Sequence, residues 1–563
     1  MVRPLLLTLV VPLLLLGCCF ALSGLSPLEA ALGHPGADTG NHLWGYGEVA
    51  RALAELRVPW EVQEKAWPEG GSLWFIDLPM AAFLAPVTWI FGAAAAYNLG
   101  ILLNFWLAGF AAWRLGVRAG APGAGALGAG VVFQLQPHLW GQAYNGISET
   151  LAVGPMALVL GELILLQREP NPRTALWVGV FLGLCTWMNP YYGLLSAGMA
   201  LGLGLWSLFR LRGRRLRQIG VLWGMAAAVA AVVVLPFALL FRQSLEAANA
   251  MVGRDPEFVY ASLVGHNMVD LLAFFHPGRW YSPDLKELFD DDMVVVVYLG
   301  AALLALAAFG AREGKGWVLG AVTAWVLALG PFLYLNGRYV KLGEDSFLPL
   351  PFLALYDLVP ALARISHPYR FVILCVLCLV VLAARALRRV PSGWRATVAA
   401  SATVLIATEF LVASPAPYPL PTMDARADEV SLILAERTEE GAVLDLPASL
   451  AMLDRSRYDL AQLHHGRPIP YGLNDPTPAL FQKNPLLMRL LILERSPVRS
   501  LDPALPLLEL ELGRRLLKAQ GLAFVVVHTS LYPPGKAEAV VDLLALLCGP
   551  GETFPDAVLY TLR

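Results

Sequence analysis

The sequence predicts a polytopic α-helical membrane protein of about eleven spans, followed by a C-terminal extracytoplasmic α/β domain. Three observations lead there. Of 563 residues, 57% are hydrophobic and 15% charged, with a mean hydropathy of +0.59; a soluble domain is about a quarter charged. Apolar runs of spanning length recur from the N-terminus to residue 413. Past the Pro-rich "SPAPYPLP" (414–421) the pattern changes to short charged segments with strand and helix periodicities.

The runs 4–22, 95–113, 123–139, 147–167, 174–190, 193–209, 218–240, 294–311, 316–335, 369–387 and 396–413 each suit a spanning helix. In the first, Arg3 precedes an apolar stretch and "LLGC" (15–18) resembles a lipoprotein cleavage box. The run continues through Phe20 to Leu25, so it reads as a span. The segment 77–92, broken by Pro79 and Pro86, is settled by charge. Cytoplasmic loops attract Lys and Arg. Arg114/Arg118, Arg168/Arg173, "RLRGRRLR" (210–217), Arg312/Lys315 and "RALRRVPSGWR" fall on one side only if 77–92 does not cross. It then lies on or dips into the outer surface. The alternate loops are acidic: 23–78 holds eight acids and three bases, and 241–293 includes "ELFDDD". The N-terminus is read as cytoplasmic and the C-terminus as outside, in the inner (plasma) membrane.

The organisation is therefore a membrane module (1–413) with outer loops 23–78 and 241–293, a linker (414–424) and an α/β domain (425–563). In that domain "GAVLDLP", "LAFVVVHT" and "AVLYTL" read as strands, and "ADEVSLILAER" and "LLELELGRRLLKAQ" as helices. Most of the six cysteines lie in apolar runs, which excludes a disulfide framework. The net charge of −2 names no partner, and nothing points to nucleic acid.

Phosphate loops, metal-binding Cys pairs, HExxH and Ser-nucleophile elbows are missing. Unusual polar residues instead gather at the outer mouth. They are His138 and Asn145 in "QPHLWGQAYNGISE", Asn189 and Tyr192 in "WMNPYYG", and His276 and Arg279 before span eight. "RISHPYRF" adds Arg364, His367 and Arg370, and the first loop adds Asp38, His42, Glu69 and Asp77. Each has a plainer reading. Asp38 precedes a helical pattern (Leu43, Gly47, Ala50) and could be only an N-cap. Glu69 in "WPEGGSLW" reads as a turn residue, and His276 as a loop hydrogen-bonder. Trp44, Tyr46, Trp60, Trp67 and Trp74 read as interfacial anchors. Arg364 and Arg370 either snorkel or grip an anionic lipid headgroup, since guanidinium forks phosphate well.

One span, then a long outer loop opening on an acid ("GADTGNHLW"), resembles the GT-C membrane glycosyltransferases. "YNLGILLNFWLAGFAAWRLG" and "RISHPYRFVILCVLCLVVLAARAL" resemble a bacterial branch with an outer C-terminal domain. The likeness covers roughly residues 1 to 413. It implies a GT-C-like fold, a polyprenyl-phosphate sugar donor and a glycan, lipid or protein acceptor. It places the catalytic acid at Asp38. His42, Glu69, Asp77, His138, Asn145, Asn189, Tyr192, His276, Arg279, Arg364, His367 and Arg370 are then candidates for holding the donor. No metal ligand is assigned; a divalent metal stays open as a cofactor. The chemistry fits independently. Inverting transfer needs one base for the acceptor hydroxyl, and phosphate leaves without an acid if cations or donors hold it. Two other classes are carried beside it. A lipid or glycan transporter or flippase would use intramembrane acids such as Glu162 and Glu409. A non-catalytic assembly protein would carry the C-terminal domain on a degenerate loop.

Overall fold

A computed structural model describes residues 2–72, 77–210, 213–247, 256–265, 267–289, 291–344, 346–360, 362–416, 418–472, 478–496 and 506–562. Trp74 lies outside the described residues. Six helices among them are long and apolar enough to cross a membrane. These are Pro4–Ser23, Ala93–Arg118, Ser148–Arg168, Arg215–Glu246, Pro368–Arg389 and Ser392–Ala413. Shorter apolar helices cover Leu78–Phe91, Ala301–Ala311 and Lys315–Ala328. Two further helices, Pro172–Met188 and Pro190–Arg210, fall on expected spans. A multi-pass membrane protein is what this set of helices describes.

One expected span is built differently. Residues 294–299 are buried but not helical; the helix begins only at Ala301. The β-branched run Val294–Val297 favours extended backbone. An extended strand buried away from water needs outside partners for its amides. It finds them on the segment before Ser148. Asn145 donates from Nδ2 to the Val294 carbonyl at 2.9 Å and accepts from the Val294 N–H at 2.8 Å. His138 Nδ1 lies 2.9 Å from the Val296 carbonyl, so it carries the proton and donates. Glu409 closes the segment, accepting from Tyr298 Oη (2.7 Å) and from the N–H groups of Ala301 and Ala302 at 2.7 and 3.0 Å.

The loop after the first helix folds back over this body. Its helix Thr39–Ala54 is buried along most of its length, so it does not lie on the surface as a free amphipathic helix. Trp44 and Tyr46 are fully buried, and Trp60 and Trp67 half-buried, rather than interfacial anchors. Strand Ala30–Leu32 pairs antiparallel with Thr422–Asp424, tying the Pro-rich linker to the loop.

Beyond the linker, a four-stranded sheet runs in the order Ala442–Leu446, Leu522–His528, Ala557–Thr561, Glu552–Thr553. The first pair is parallel and the others antiparallel. Helices Glu429–Glu436 and Leu507–Gln520 coincide with the expected ones. Residues 430 to 562 pack a core of their own, which Trp67 of the first loop joins from its edge.

Candidate functional site

Asp38 occupies the N-cap position of the helix Thr39–Ala54, yet its side chain makes no capping hydrogen bond. Its carboxylate instead accepts from Asn41 Nδ2 at 2.6 Å. Its own N–H bonds the Asn145 carbonyl at 3.0 Å, and His42 N–H returns to the Asp38 carbonyl. Close approach fixes this corner. Gly146 has a φ of +73°, and a Cβ there would come within 2.3 Å of Thr39 Oγ1. Only glycine fits both demands.

His42 and Tyr46 follow one and two turns later on the same helix face. His42 Nδ1 lies 3.1 Å from Ser148 Oγ, and its Nε2 lies 3.5 Å from Glu149 Oε2. Ser148 donates its one hydroxyl proton to Asp77 Oδ2 at 2.6 Å, so His42 Nδ1 must donate to Ser148. Tyr46 donates to the same Asp77 oxygen at 3.1 Å. Burial pushes the Asp77 carboxyl up to about 8; the nearby Glu149 charge adds to this, while bonds from Ser148 and Tyr46 oppose it. The result is a continuous buried chain, Tyr46–Asp77–Ser148–His42–Glu149, running beside Asp38.

Acids from distant segments join on the Asp38 side. Burial raises Asp291 to about 7, with the charges of Asp38, Asp292 and Asp454 contributing. Lys286 faces Asp292 at 3.5 Å and Asp454 at 3.9 Å. His34 stacks on Tyr144 (centroids 5.2 Å apart), and burial holds it below the usual histidine range despite Asp292 and Asp454. Among the described residues, no group of three or more His, Cys, Asp or Glu side chains is arranged to hold a metal ion.

On the Glu149 side stands Arg370. Its guanidinium lies 5.4 Å over the Tyr191 ring, close enough to Glu149 and Tyr192 to interact electrostatically. Its buried Nε has no hydrogen-bond partner among the described residues. Ser366 links Tyr191 Oη (3.4 Å) to His367 Nδ1 (2.8 Å), which brings His367 to the same edge. Arg364 acts electrostatically on Tyr356.

The remaining candidates divide clearly. His138 Nδ1 and the Asn145 amide hold the non-helical segment described above, and His138 Nε2 stays without a hydrogen-bond partner among the described residues. Asn189 caps the helix Pro190–Arg210 through Tyr191 N–H (3.0 Å) and Tyr192 N–H (3.3 Å), and donates to the Glu149 carbonyl at 3.3 Å. Tyr192 Oη donates to the Thr150 carbonyl at 2.8 Å. These two position the turn that carries Ser148 and Glu149. His276 donates to its neighbour Pro277 and packs on Trp280 and Tyr281. Arg279 donates to the Pro415 carbonyl, and Glu69 is an exposed turn residue beside the C-terminal region. Arg279 also bonds Tyr144, under His34 on the Asp38 side.

Sequence reasoning missed Asn41, Tyr46, Lys65, Ser148, Glu149, Asp291 and Asp459. For three of them there was a signal: "GISE" ends on Ser148 and Glu149, and "ELFDDD" contains Asp291.

Known proteins resemble this arrangement at two levels. The "Domain of unknown function (DUF6311)" family model matches residues 9–353. No curated protein matches the sequence. The solved structures it resembles are GT-C glycosyltransferases. The arabinofuranosyltransferase AftD from mycobacteria aligns over 100% of this chain and 40% of its own, at 15% identity and a TM-score of 0.58. The oligosaccharyltransferase AglB from Archaeoglobus fulgidus, solved with an inhibitory peptide and a dolichol-phosphate, aligns over 94% of this chain and 69% of its own. There the identity is 11% and the TM-score 0.53. At such identities the likeness speaks for the fold alone, and this chain spans well under half of AftD. With the GT-C fold shared and more than half its length matched, the chain belongs to the DUF6311 family.

Proposed function

We propose that the protein is a membrane glycosyltransferase that moves a sugar from a polyprenyl-phosphate donor to an extracytoplasmic acceptor, with inversion and with Asp38 as base. The acceptor hydroxyl oxygen attacks the anomeric carbon while its proton passes to Asp38. The bond from that carbon to the phosphate oxygen breaks, and the electron pair leaves with the polyprenyl phosphate. Arg370 meets the phosphate charge. Within this reading the chain crosses the membrane eleven times, N-terminus inside. Residues 1–413 form the catalytic module, 414–424 the linker and 425–563 an outer domain.

The observation that carries the reading is the state of Asp38. It stands where a cap would, without capping, held on one oxygen by Asn41 and leaving the other for a hydroxyl. The intramembrane acids support the enzyme over a transporter. Glu162 pairs with Arg114 (3.0 Å) and Arg118 (2.6 Å), and Glu409 caps a helix, so neither is poised to carry cargo. The test is mass spectrometry of lipid-linked sugars and envelope glycans in strains with and without the gene. A sugar should accumulate on polyprenyl phosphate and disappear from a glycan, lipid or protein. Unchanged profiles in both pools would sink the proposal.

A further inference from the structure

We propose that Lys65, set by Asp459 of the C-terminal region, is a positioning residue that orients Asp38 through Asn41. The inference rests on Asp38 as the base and adds that the C-terminal region completes its setting. Lys65 is fully buried and extends its ammonium between three groups. Asp459 Oδ1 lies at 2.7 Å, Asn41 Oδ1 at 3.3 Å, and the Trp44 ring centroid at 4.4 Å. An ammonium has only donors to offer. Asn41 must therefore turn its oxygen to Lys65 and its NH2 to Asp38, where Nδ2 lies 2.6 Å from Oδ1. Carboxylate and cation thus hold the amide from both ends. Remove the cation and Asn41 keeps its NH2 toward Asp38 but loses the second bond that fixes its plane, and with it the placement of the carboxylate.

Lys65 cannot hold that place alone, because a buried charge is costly unless paired. Its carboxylate partner comes from the helix Ser456–His465, which packs directly on the helix carrying Asn41. The fit between the two helices is close. Ser456 Oγ donates to the Ala37 carbonyl at 3.1 Å, and Trp44 Nε1 donates to Gln462 Oε1 at 2.6 Å. A Cβ on Gly40 would come within 2.4 Å of the Ser456 carbonyl oxygen. So the line Asp459–Lys65–Asn41–Asp38 exists only while the C-terminal region is docked.

A plain staple between loop and domain would contain the same ion pair, and the test separates the two. Full-length variants are placed in membranes of a strain lacking the gene. The probe is the polyprenyl-phosphate sugar that strain accumulates, purified and tritium-labelled; transfer and melting temperature are both read. Asp459→Asn should lower both, transfer on the order of 10–100-fold, because small misplacements of a reacting group cost that much. Asp459→Glu should recover most of it. Lys65→Met with Asp459→Leu replaces the pair by apolar groups, which is often neutral or stabilising. Melting should then return to the wild-type value while transfer stays down by the same factor. If transfer returns together with stability while Asp38→Asn is inactive, the positioning role is overturned and the base stands. If Asp38→Asn transfers like the wild type, the base falls and the positioning role with it. Should the double variant fail to fold, Asn41→Leu keeps the ion pair and cuts only the link to Asp38. The same loss is expected there, and a wild-type rate overturns the proposal.

Discussion

Two polar regions meet at Gly146, and they use their side chains in opposite ways. Before it, in 136–145, His138 and Asn145 donate to and accept from the backbone of an extended strand. After it and across from it, His42, Tyr46, Asp77 and Ser148 bond to one another, with Glu149 Oε2 3.5 Å from His42 Nε2. The first region closes backbone: the Val294 N–H and the Val294 and Val296 carbonyls are paired there, while Gln136, His138 Nε2, Trp140 Nε1 and Gln142 Nε2 stay unmatched among the described residues. The second keeps charge and unmatched acceptors, among them Asp77 Oδ1 and Glu149 Oε2. Buried polar groups in a membrane protein invite a functional reading. The comparison teaches that the reading turns on what they bond to. A side chain closing a backbone gap is architecture; side chains facing each other around a half-buried carboxylate can be reagents.

The largest expected effect sharpens the second region. Asp38→Asn preserves shape and costs the helix no cap, since the Asp38 side chain makes no capping bond. As base it should lose transfer by about 10²–10⁴-fold, with melting temperature unchanged. Near-normal transfer would reduce Asp38 to the architecture class. Asn145→Leu is the opposite probe. It strands the N–H and carbonyl of Val294, each costing about 1–3 kcal/mol when buried and unmet. Thermal stability and yield should fall while the rate per folded molecule holds; a stable variant with lost transfer would break the comparison. Arg370→Ala comes third. A charged hydrogen bond to phosphate contributes about 1.5–3 kcal/mol, so apparent donor affinity should fall by tens of fold, and Arg364→Ala should do less. Equal effects would support the paired-arginine reading.

How far this division could be read from the chain depends on sequence distance. The helices were legible because apolar length is a local property, and so were the strands 442–446 and 522–528, flanked by turns. The extended segment 294–299 was not. A short apolar run looks alike as buried strand or buried helix, and its β-branched content was outweighed by the span-length run that follows. Asp38 was singled out by its place after the first span. Its setting was not legible, because Lys65, Asp291 and Asp459 come from three separate segments, and only the folded chain brings Asp459 to Asn41. The backbone partners of His138 and Asn145 were hidden for the same reason: they lie about 150 residues away.

The smallest step concerns pH and tests whether the second region really holds a neutral acid. Asp77 is raised to about 8 by burial, against an ordinary value near 4 in the unfolded chain. Between those values the folded protein binds a proton that the unfolded chain has released. Stability from this group is therefore full below about pH 4, declines as pH rises, and levels off above about 8. The slope is at most about 1.4 kcal/mol per pH unit. Asp77→Asn supplies a permanently neutral side chain whose carbonyl oxygen still accepts from Tyr46 and Ser148. It should flatten that part of the melting-temperature profile between pH 5 and 8 and leave the variant more stable than the wild type at the upper end. A wild-type profile already flat across that range, or an Asn variant that loses stability at pH 8, would mean that Asp77 is ionised. The second region would then hold two buried carboxylates, Asp77 and Glu149, and the Arg370 guanidinium on the Glu149 side would be the cation that answers them.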